Sequence, residues 1–288
     1  MLKTLAGDGT EKEGCALLLG GFDGFHAGHR TLLDAAKRTG FPVGLTSIAG
    51  GKAGGDVFTF SEREEIFRRE GFAFVAEYCF SQEMKNTTAE DFLRGLFGEL
   101  SPRAVYCGED FRFGKGAAGS PALLRELAPC PVFALPLKKF GGEKVSVSRM
   151  KAYLTAGEIG RVNELLGYGY FVSGRVEHGR QVGRRYGFPT LNVSFPQGKH
   201  PPREGVYAGC VETPAGTFPS IVNFGARPTF GVEEKKLEAY LEGFSGDLYG
   251  AEVRVCFEKY LRPVVKFESE EALKAQLERD KESLRSTL

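Results

Sequence analysis

The chain has 288 residues, with 38 Lys and Arg against 37 Asp and Glu and a formal net charge of +1. That balance gives no global reason to hold a nucleic-acid backbone or an anionic membrane surface. No apolar run approaches the ~18 residues of a membrane span, and the opening MLKTLAGDGTEKEG lacks an apolar signal core, so a soluble cytoplasmic protein is expected.

The length suits two domains of ordinary size. The cysteines (Cys15, Cys79, Cys107, Cys130, Cys210, Cys256) are scattered without a CxxC pair. Buried reduced thiols fit that distribution better than a disulfide framework or a zinc site.

In chain order, the apolar run 15–19 reads as a buried strand. A glycine turn follows at Gly20, Gly21 and Gly24, and residues 27–38 read as a helix stopped by Gly40. Strand, glycine turn and helix make the general plan of a phosphate site, where backbone N–H groups and the positive helix end converge on an anion. His26 and His29, three apart at the helix start, share one face. Further short apolar runs at 43–48, 74–78, 104–107 and 132–135 alternate with helical stretches. Ser61 with Glu64, and Thr88 with Asp91, have capping-box spacing, and Gly71 supplies a stop. About five βα units result, predicting an open α/β sheet that binds ligands at the carboxyl ends of its strands.

Residues 150–166 read as helical with an interruption at Gly157, and the texture then changes. Runs at 171–177, 190–195, 205–212, 218–224, 237–242 and 252–261 are strand-like without helices between them, which predicts a six-stranded antiparallel barrel. A last amphipathic helix over 269–285, with Leu273, Leu277 and Leu284 inward, would pack on it. The expected domains are therefore 1–166 and 167–288.

Nucleotidyl transfer needs donors and positive charge aimed at a phosphoryl transition state, and paired imidazoles at a helix start meet that need. The string Gly21-Phe22-Asp23-Gly24-Phe25-His26-Ala27-Gly28-His29 resembles the HxGH nucleotidyltransferases, in the form seen in prokaryotic bifunctional riboflavin kinase/FAD synthetases. The resemblance implies a Rossmann-like first domain with His26 and His29 catalytic, and Gly20, Phe22, Asp23, Gly24 and Gly28 around ATP. A second stretch, CGEDFRFGK from Cys107 to Lys115, is similar to the family's G-x-D/N-F-x-F-G segment and implies flavin contacts at Asp110, Phe111 and Arg112. Core packing is the plain alternative for Phe111 and Phe113. A P-loop reading of Gly114-Lys115 fails, since five residues separate Gly108 from Gly114 and Gly116 stands where Ser or Thr is required.

Val145 to Lys151 resembles the family's I-S-S-T-x-I-R, which implies that Ser146, Ser148, Arg149 and Lys151 hold ATP phosphates. Here Val147 replaces a hydroxyl, a loss of roughly 1.5–3 kcal/mol for a hydrogen bond to a charged group. Lys151 lacks an arginine's bidentate fork. The family's F-D-P-H-P is absent, with Ser47-Ile48-Ala49-Gly50-Gly51 in its place.

In the second half, Gly174, Gly179, Gly183 and Gly187 lead into Pro189-Thr190-Leu191-Asn192. That order resembles the riboflavin kinase segment ending P-T-A-N. Asn223 to Phe230, Leu237-Glu238, Phe244 to Gly250 and Leu261-Arg262-Pro263 match further family elements in order. Thr190 and Asn192, two apart on a strand, offer oxygens on one face to a hard cation such as Mg²⁺. The resemblance implies that Gly183, Pro189, Thr190 and Asn192 hold Mg–ATP, that Glu238 is the catalytic base and that Arg262 closes on the flavin.

The implied substrates are riboflavin, FMN and ATP, with FAD as product and no nucleic-acid or membrane partner, in a monomer or weak homo-oligomer. Three functions stay open on the sequence: a two-step enzyme making FMN and then FAD, an active kinase with a flavin-nucleotide-binding or regulatory N-terminal module, and a non-enzymatic flavin carrier.

Overall fold

Three short strands of the first sheet are buried along their whole lengths or nearly so, and this makes them central. In the computed structural model, which describes residues 2–6, 14–50, 54–136, 139–178, 188–229 and 232–287, the chain divides into two compact units, Met1–Val147 and Ser148–Leu288. The first contains β1 (Leu2–Thr4), β2 (Ala16–Leu18), α1 (Ala27–Lys37), β3 (Val43–Ala49), α2 (Phe60–Glu70), β4 (Phe74–Cys79), α3 (Gln82–Asn86), α4 (Ala89–Glu99), β5 (Ala104–Gly108), α5 (Pro121–Leu127), β6 (Val132–Leu135) and the ribbon β7 (Lys139–Phe140) and β8 (Glu143–Lys144). Its sheet runs β1-β4-β3-β2-β5-β6, parallel except for β1, which adds antiparallel to β4. The expected five parallel strands are present, and β1 was not anticipated.

The order reverses at β2, whose two neighbours β3 and β5 lead the chain to opposite edges. Its carboxyl end is thus the topological switch point, where open α/β sheets bind ligands. The Gly20–His29 turn follows directly.

Two local expectations change. The capping box of α2 is Thr59 with Glu62, not Ser61 with Glu64. Starting the helix earlier leaves Glu64 at 7 % exposure in an ion pair with Lys3. Thr88 does cap α4 with Asp91, and Gly71 ends α2 in the left-handed region. Of the cysteines, Cys15, Cys107 and Cys256 are buried as expected, whereas Cys79 is exposed; none forms a disulfide. Burial pushes the Cys15 thiol up to about 12 and the Cys107 thiol to about 11.

The second unit begins with α6 (Val147–Ala156, its first residue in the first unit) and α7 (Ile159–Leu166), separated by Gly157 at φ +81°. The divide therefore falls ahead of this helix pair, while the 166/167 boundary expected from sequence lies after it. The reason is packing: α7 buries Ile159, Val162, Leu165 and Leu166 and lies on β14 (Glu252–Arg262) and β9 (Tyr170–Arg175). Asn163 locks it there, its Nδ2 donating to the Phe257 carbonyl at 2.9 Å and its Oδ1 accepting from Tyr170 N–H at 2.7 Å.

With β10 (Thr190–Ser194), β11 (Gly205–Thr213), β12 (Gly216–Thr229) and β13 (Val232–Leu241), the six strands pair antiparallel in the order β10-β13-β12-β11-β14-β9. A bridge between Glu177 and Asn192 joins the two ends of that order, Glu177 N–H donating to the Asn192 carbonyl at 2.9 Å. Tyr207, Val222, Val193, Leu237 and Phe224 fill the interior at 0 % exposure. The last helix, α8 (Glu270–Arg285), is capped by Ser269. Leu284 is buried against Val206, Ala208 and Ile221, but Leu273 and Leu277, expected inward, are half-buried, and Asp280 takes the second buried position.

Candidate active sites

The first candidate site is the turn after β2. Gly20 N–H donates to Thr46 Oγ1 at 3.2 Å, and that hydroxyl donates back to the Gly20 carbonyl at 3.0 Å. Phe22, buried, sits at φ +42°. A non-glycine residue held in the left-handed region costs of order 1–3 kcal/mol and persists where its surroundings fix it. Here the fixing group is a ring stack: Phe22 meets His29 edge-on at 4.7 Å, and the His26 and His29 rings lie parallel at 3.5 Å. A Cβ on Gly20 would stand 2.8 Å from the Phe22 ring. Gly20→Ala is therefore expected to cost about 1–3 kcal/mol through overpacking, read as a lower melting temperature.

His26 is the N-cap of α1, its Nδ1 accepting from His29 N–H at 3.3 Å. His29 Nδ1 lies 3.1 Å from the Gly24 carbonyl, which can only accept. These contacts assign the tautomers: neutral His26 carries its proton on Nε2, and neutral His29 on Nδ1. Asp23, 1 % exposed, accepts from Val57 N–H at 2.9 Å and Phe58 N–H at 3.4 Å, so one carboxylate oxygen ties the turn to the chain after β3. Gly28 is buried within α1.

The backbone of residues 48–50, within the stretch that stands in place of the expected F-D-P-H-P, is held by a buried ion pair. Arg63, 1 % exposed, donates to the Ile48 carbonyl at 3.0 Å and pairs with Asp56, whose carboxylate also accepts from Gly50 N–H at 3.1 Å. Sequence reasoning missed it, since a lone arginine on a helix reads as solvated.

The remaining first-domain predictions separate. Phe113 is buried in the core, and the half-buried Phe111 stacks on it at 5.3 Å, which is the packing alternative. Asp110 and Arg112 are exposed; Asp110 is in an ion pair with Lys144, and Arg112 donates to the Phe111 carbonyl at 2.8 Å. Ser146, Ser148, Arg149 and Lys151 fall at the start of α6, with Arg149 Nε donating to the Tyr153 hydroxyl at 3.0 Å.

In the second unit the strand pairing assembles the site. Leu191 and Val193 point into the interior, so Thr190 and Asn192 share the opposite face. Asn192 faces Glu238 across β10 and β13, and Glu238 faces Asn223 across β13 and β12. Directly opposite residues lie on one face with Cβ atoms about 5 Å apart, so a carboxylate stands between two amides. The Oδ1 atoms of Asn192 and Asn223 are both buried without a hydrogen-bond partner among the described residues. Leaving such an atom unsatisfied costs roughly 1–3 kcal/mol, and a hard oxygen-seeking cation is the kind of group that recovers it.

At the start of β10, where Thr190 stands two residues before Asn192, is a cavity of about 470 Å³, lined by Pro189, Thr190, Leu241, Phe244, Leu248 and Tyr249 among others. Its volume is in the range of small-molecule sites. The 244–249 segment carries no site residue expected from the sequence, where the match of Phe244 to Gly250 to a family element is the available signal; in the structure Tyr249 N–H donates to Asp247 Oδ1 at 2.9 Å. His178 stacks on Tyr249 at 3.9 Å. Gly183, expected at the nucleotide, lies outside the described residues, as do Gly179 and Gly187.

Arg262, at the end of β14, is held by α8: its guanidinium donates to both Asp280 oxygens, at 2.7 Å from Nη2 and 3.0 Å from Nε, and Gln276 donates to the same carboxylate at 2.9 Å. Asp280→Ala removes one partner of a largely buried pair and is expected to cost roughly 3 kcal/mol, measured by denaturant unfolding.

Among the described residues no helix is long and apolar enough to cross a membrane. Family models described as FAD synthetase and riboflavin kinase match residues 8–149 and 166–288. A bifunctional riboflavin kinase/FMN adenylyltransferase of Escherichia coli is 32 % identical, the match covering 93 % of this chain and 91 % of the relative. A protein of the same description from Bacillus subtilis is 28 % identical, covering 94 % and 92 %. A crystal structure described as a macrolide-efflux protein from Streptococcus pneumoniae superposes with a TM-score of 0.85 at 25 % identity, covering 98 % of this chain and 97 % of that one.

Proposed function

The chain belongs to the bifunctional riboflavin kinase/FMN adenylyltransferase family, and from that membership we propose which residues carry each step. The enzyme phosphorylates riboflavin to FMN with ATP and adenylylates FMN to FAD with release of pyrophosphate. The family matches favour this two-step reading over a kinase with an idle N-terminal module. We assign adenylyl transfer to residues 1–166 and phosphorylation to 167–288.

The kinase assignment rests chiefly on one observation, the row Asn192, Glu238, Asn223 with its two unsatisfied amide oxygens. In our reading the neighbouring cavity takes the nucleoside end of ATP, and Pro189 and Thr190 turn its phosphates toward the row. Thr190 and Asn192 would hold Mg²⁺, which neutralises phosphate charge when bound. Glu238 accepts the proton of the ribityl 5′-hydroxyl as the oxygen attacks the γ-phosphorus, the bond from that phosphorus to the β,γ-bridging oxygen breaks and ADP departs. Positioning and charge neutralisation supply most of the rate in such transfers. Arg262 contacts the flavin once it leaves Asp280.

For the second step, a phosphate oxygen of FMN attacks the α-phosphorus of ATP and pyrophosphate departs. His26 Nε2–H is a donor in the tautomer set by its cap, and His29, protonated at Nε2, becomes a second donor carrying positive charge. Gly20, Phe22, Gly24 and Gly28 shape the turn around the phosphates, and Asp23 braces it. Ser146, Ser148, Arg149 and Lys151 supply further phosphate contacts, and Asp110, Phe111 and Arg112 the flavin contacts. A monomer or weak homo-oligomer in the cytoplasm belongs to the same reading.

The test is to incubate the purified chain with riboflavin, ATP and Mg²⁺ and separate the flavins chromatographically. FMN and FAD together are expected. FMN alone would return the kinase-only reading, and neither product would overturn both.

A further inference from the structure

Outside both sites, the molecule places two thiols opposite one another. Cys210 on β11 and Cys256 on β14 are direct partners in the antiparallel ladder, so their side chains stand opposite one another on one face. Facing residues in such a ladder have Cα atoms about 4.5–5.5 Å apart, inside the 4.4–6.8 Å span that a disulfide bridges without backbone movement. The approach is close because the neighbouring residue is Gly209, where a Cβ would stand 2.0 Å from the Cys256 carbonyl oxygen.

The pair is asymmetric. Cys256 is buried at 6 % exposure, while Cys210 is half-buried. The next residues on the same face are Glu212 and Arg254: Cys256 Sγ lies 3.9 Å from Glu212 Oε1, and the Arg254 guanidinium pairs with Glu212 at 3.7 Å. The half-buried Cys210 can be reached from solvent and the buried Cys256 cannot, which makes Cys210 the nucleophile and Cys256 the resolving thiol. The facing Cys256 thiol lowers the Cys210 thiol from its ordinary range, and Cys210 together with burial pushes Cys256 up.

We propose that Cys210 and Cys256 form a thiol–disulfide exchange site whose reactant class is low-molecular-weight disulfides. The Cys210 thiolate attacks one sulfur of the small disulfide, forming a mixed disulfide and expelling one thiolate. Cys256, its proton passing to that departing thiolate, attacks Sγ of Cys210, closes the Cys210–Cys256 bond and expels the second thiolate. The protein loses two electrons, and the small disulfide is reduced to two thiols. The other cysteines lack this arrangement: Cys15 and Cys107 are buried with raised thiols, and burial also raises Cys130.

The full chain, reduced and desalted, is treated with glutathione disulfide, and tryptic peptides are mapped by mass spectrometry without reduction. Expected is a link between the Cys210 and Cys256 peptides that dithiothreitol reverses, with a separate glutathione adduct on the exposed Cys79. Cys256→Ser should stop at a glutathione adduct on Cys210, and Cys210→Ser should leave Cys256 unmodified; circular dichroism verifies that both variants fold. A stable glutathione adduct on Cys210 in the unmodified chain, no reaction at Cys210, or equal labelling of Cys256 in Cys210→Ser would each overturn the proposal.

Discussion

Glu238→Ala is expected to lower FMN formation by about 10²–10⁴-fold, the usual contribution of a positioned general base, and to leave the conversion of supplied FMN into FAD at its original rate. The residue lies between two amides that cannot accept a proton in its place, since Asn192 and Asn223 flank it across the adjoining strands. Its backbone is paired on both sides, so the truncation removes the carboxylate without releasing the strand. FAD synthesis from supplied FMN, which we assign to residues 1–166, is an internal control for enzyme concentration, and circular dichroism verifies that the barrel of the variant is folded. Following both products by chromatography gives both rates from one preparation. A variant that phosphorylates riboflavin at the unmodified rate would show that the base has been assigned wrongly.

His29→Ala should produce the mirror result, a loss of ~10²-fold or more in adenylyl transfer, comparable with removing one transition-state donor, with riboflavin phosphorylation unchanged. The side chain also supports the turn, stacking on His26 and meeting the Phe22 ring. A fall in melting temperature is therefore expected alongside. The two contributions separate with His29→Gln, which fills part of the space and can still donate to the Gly24 carbonyl but cannot carry the charge. If the loss is due to packing, His29→Gln recovers much of the activity; if it is due to the imidazole, stability returns without the rate. An unchanged FAD yield in His29→Ala would remove the imidazole argument altogether.

How much of this was legible in the sequence depended on the range of the interactions involved. The five parallel strands and the six antiparallel ones follow from local apolar runs and turn residues. The start of α2 did not, because two overlapping Ser/Thr-x-x-Glu patterns compete there and the burial of Glu64 beside Lys3, 61 residues away, decides for Thr59. Arg63 was opaque for the same reason: its partners are the end of β3 and Asp56. The row we propose as catalytic was half visible. Thr190 and Asn192 share a face by strand geometry alone, but Asn223 joins them only through the register of three strands, and no spacing along the chain announces it. The cavity wall at 244–249 likewise needs the strands on either side to be placed first.

That register has a consequence for how the kinase site can change. Leu191, Val193, Leu237 and Ala239 are buried on the same strands that present Asn192 and Glu238 outward. A slip of one residue between β10 and β13 would turn the apolar set to solvent and the carboxylate into the core. The alignment of Asn192 with Glu238 is therefore coupled to cooperative folding: strand misalignment carries the penalty of exposing the barrel's interior. Substitutions that weaken this site without unfolding the barrel should concentrate in side chains and in the 244–249 segment, where chemistry and core packing are not carried by alternate residues of one strand.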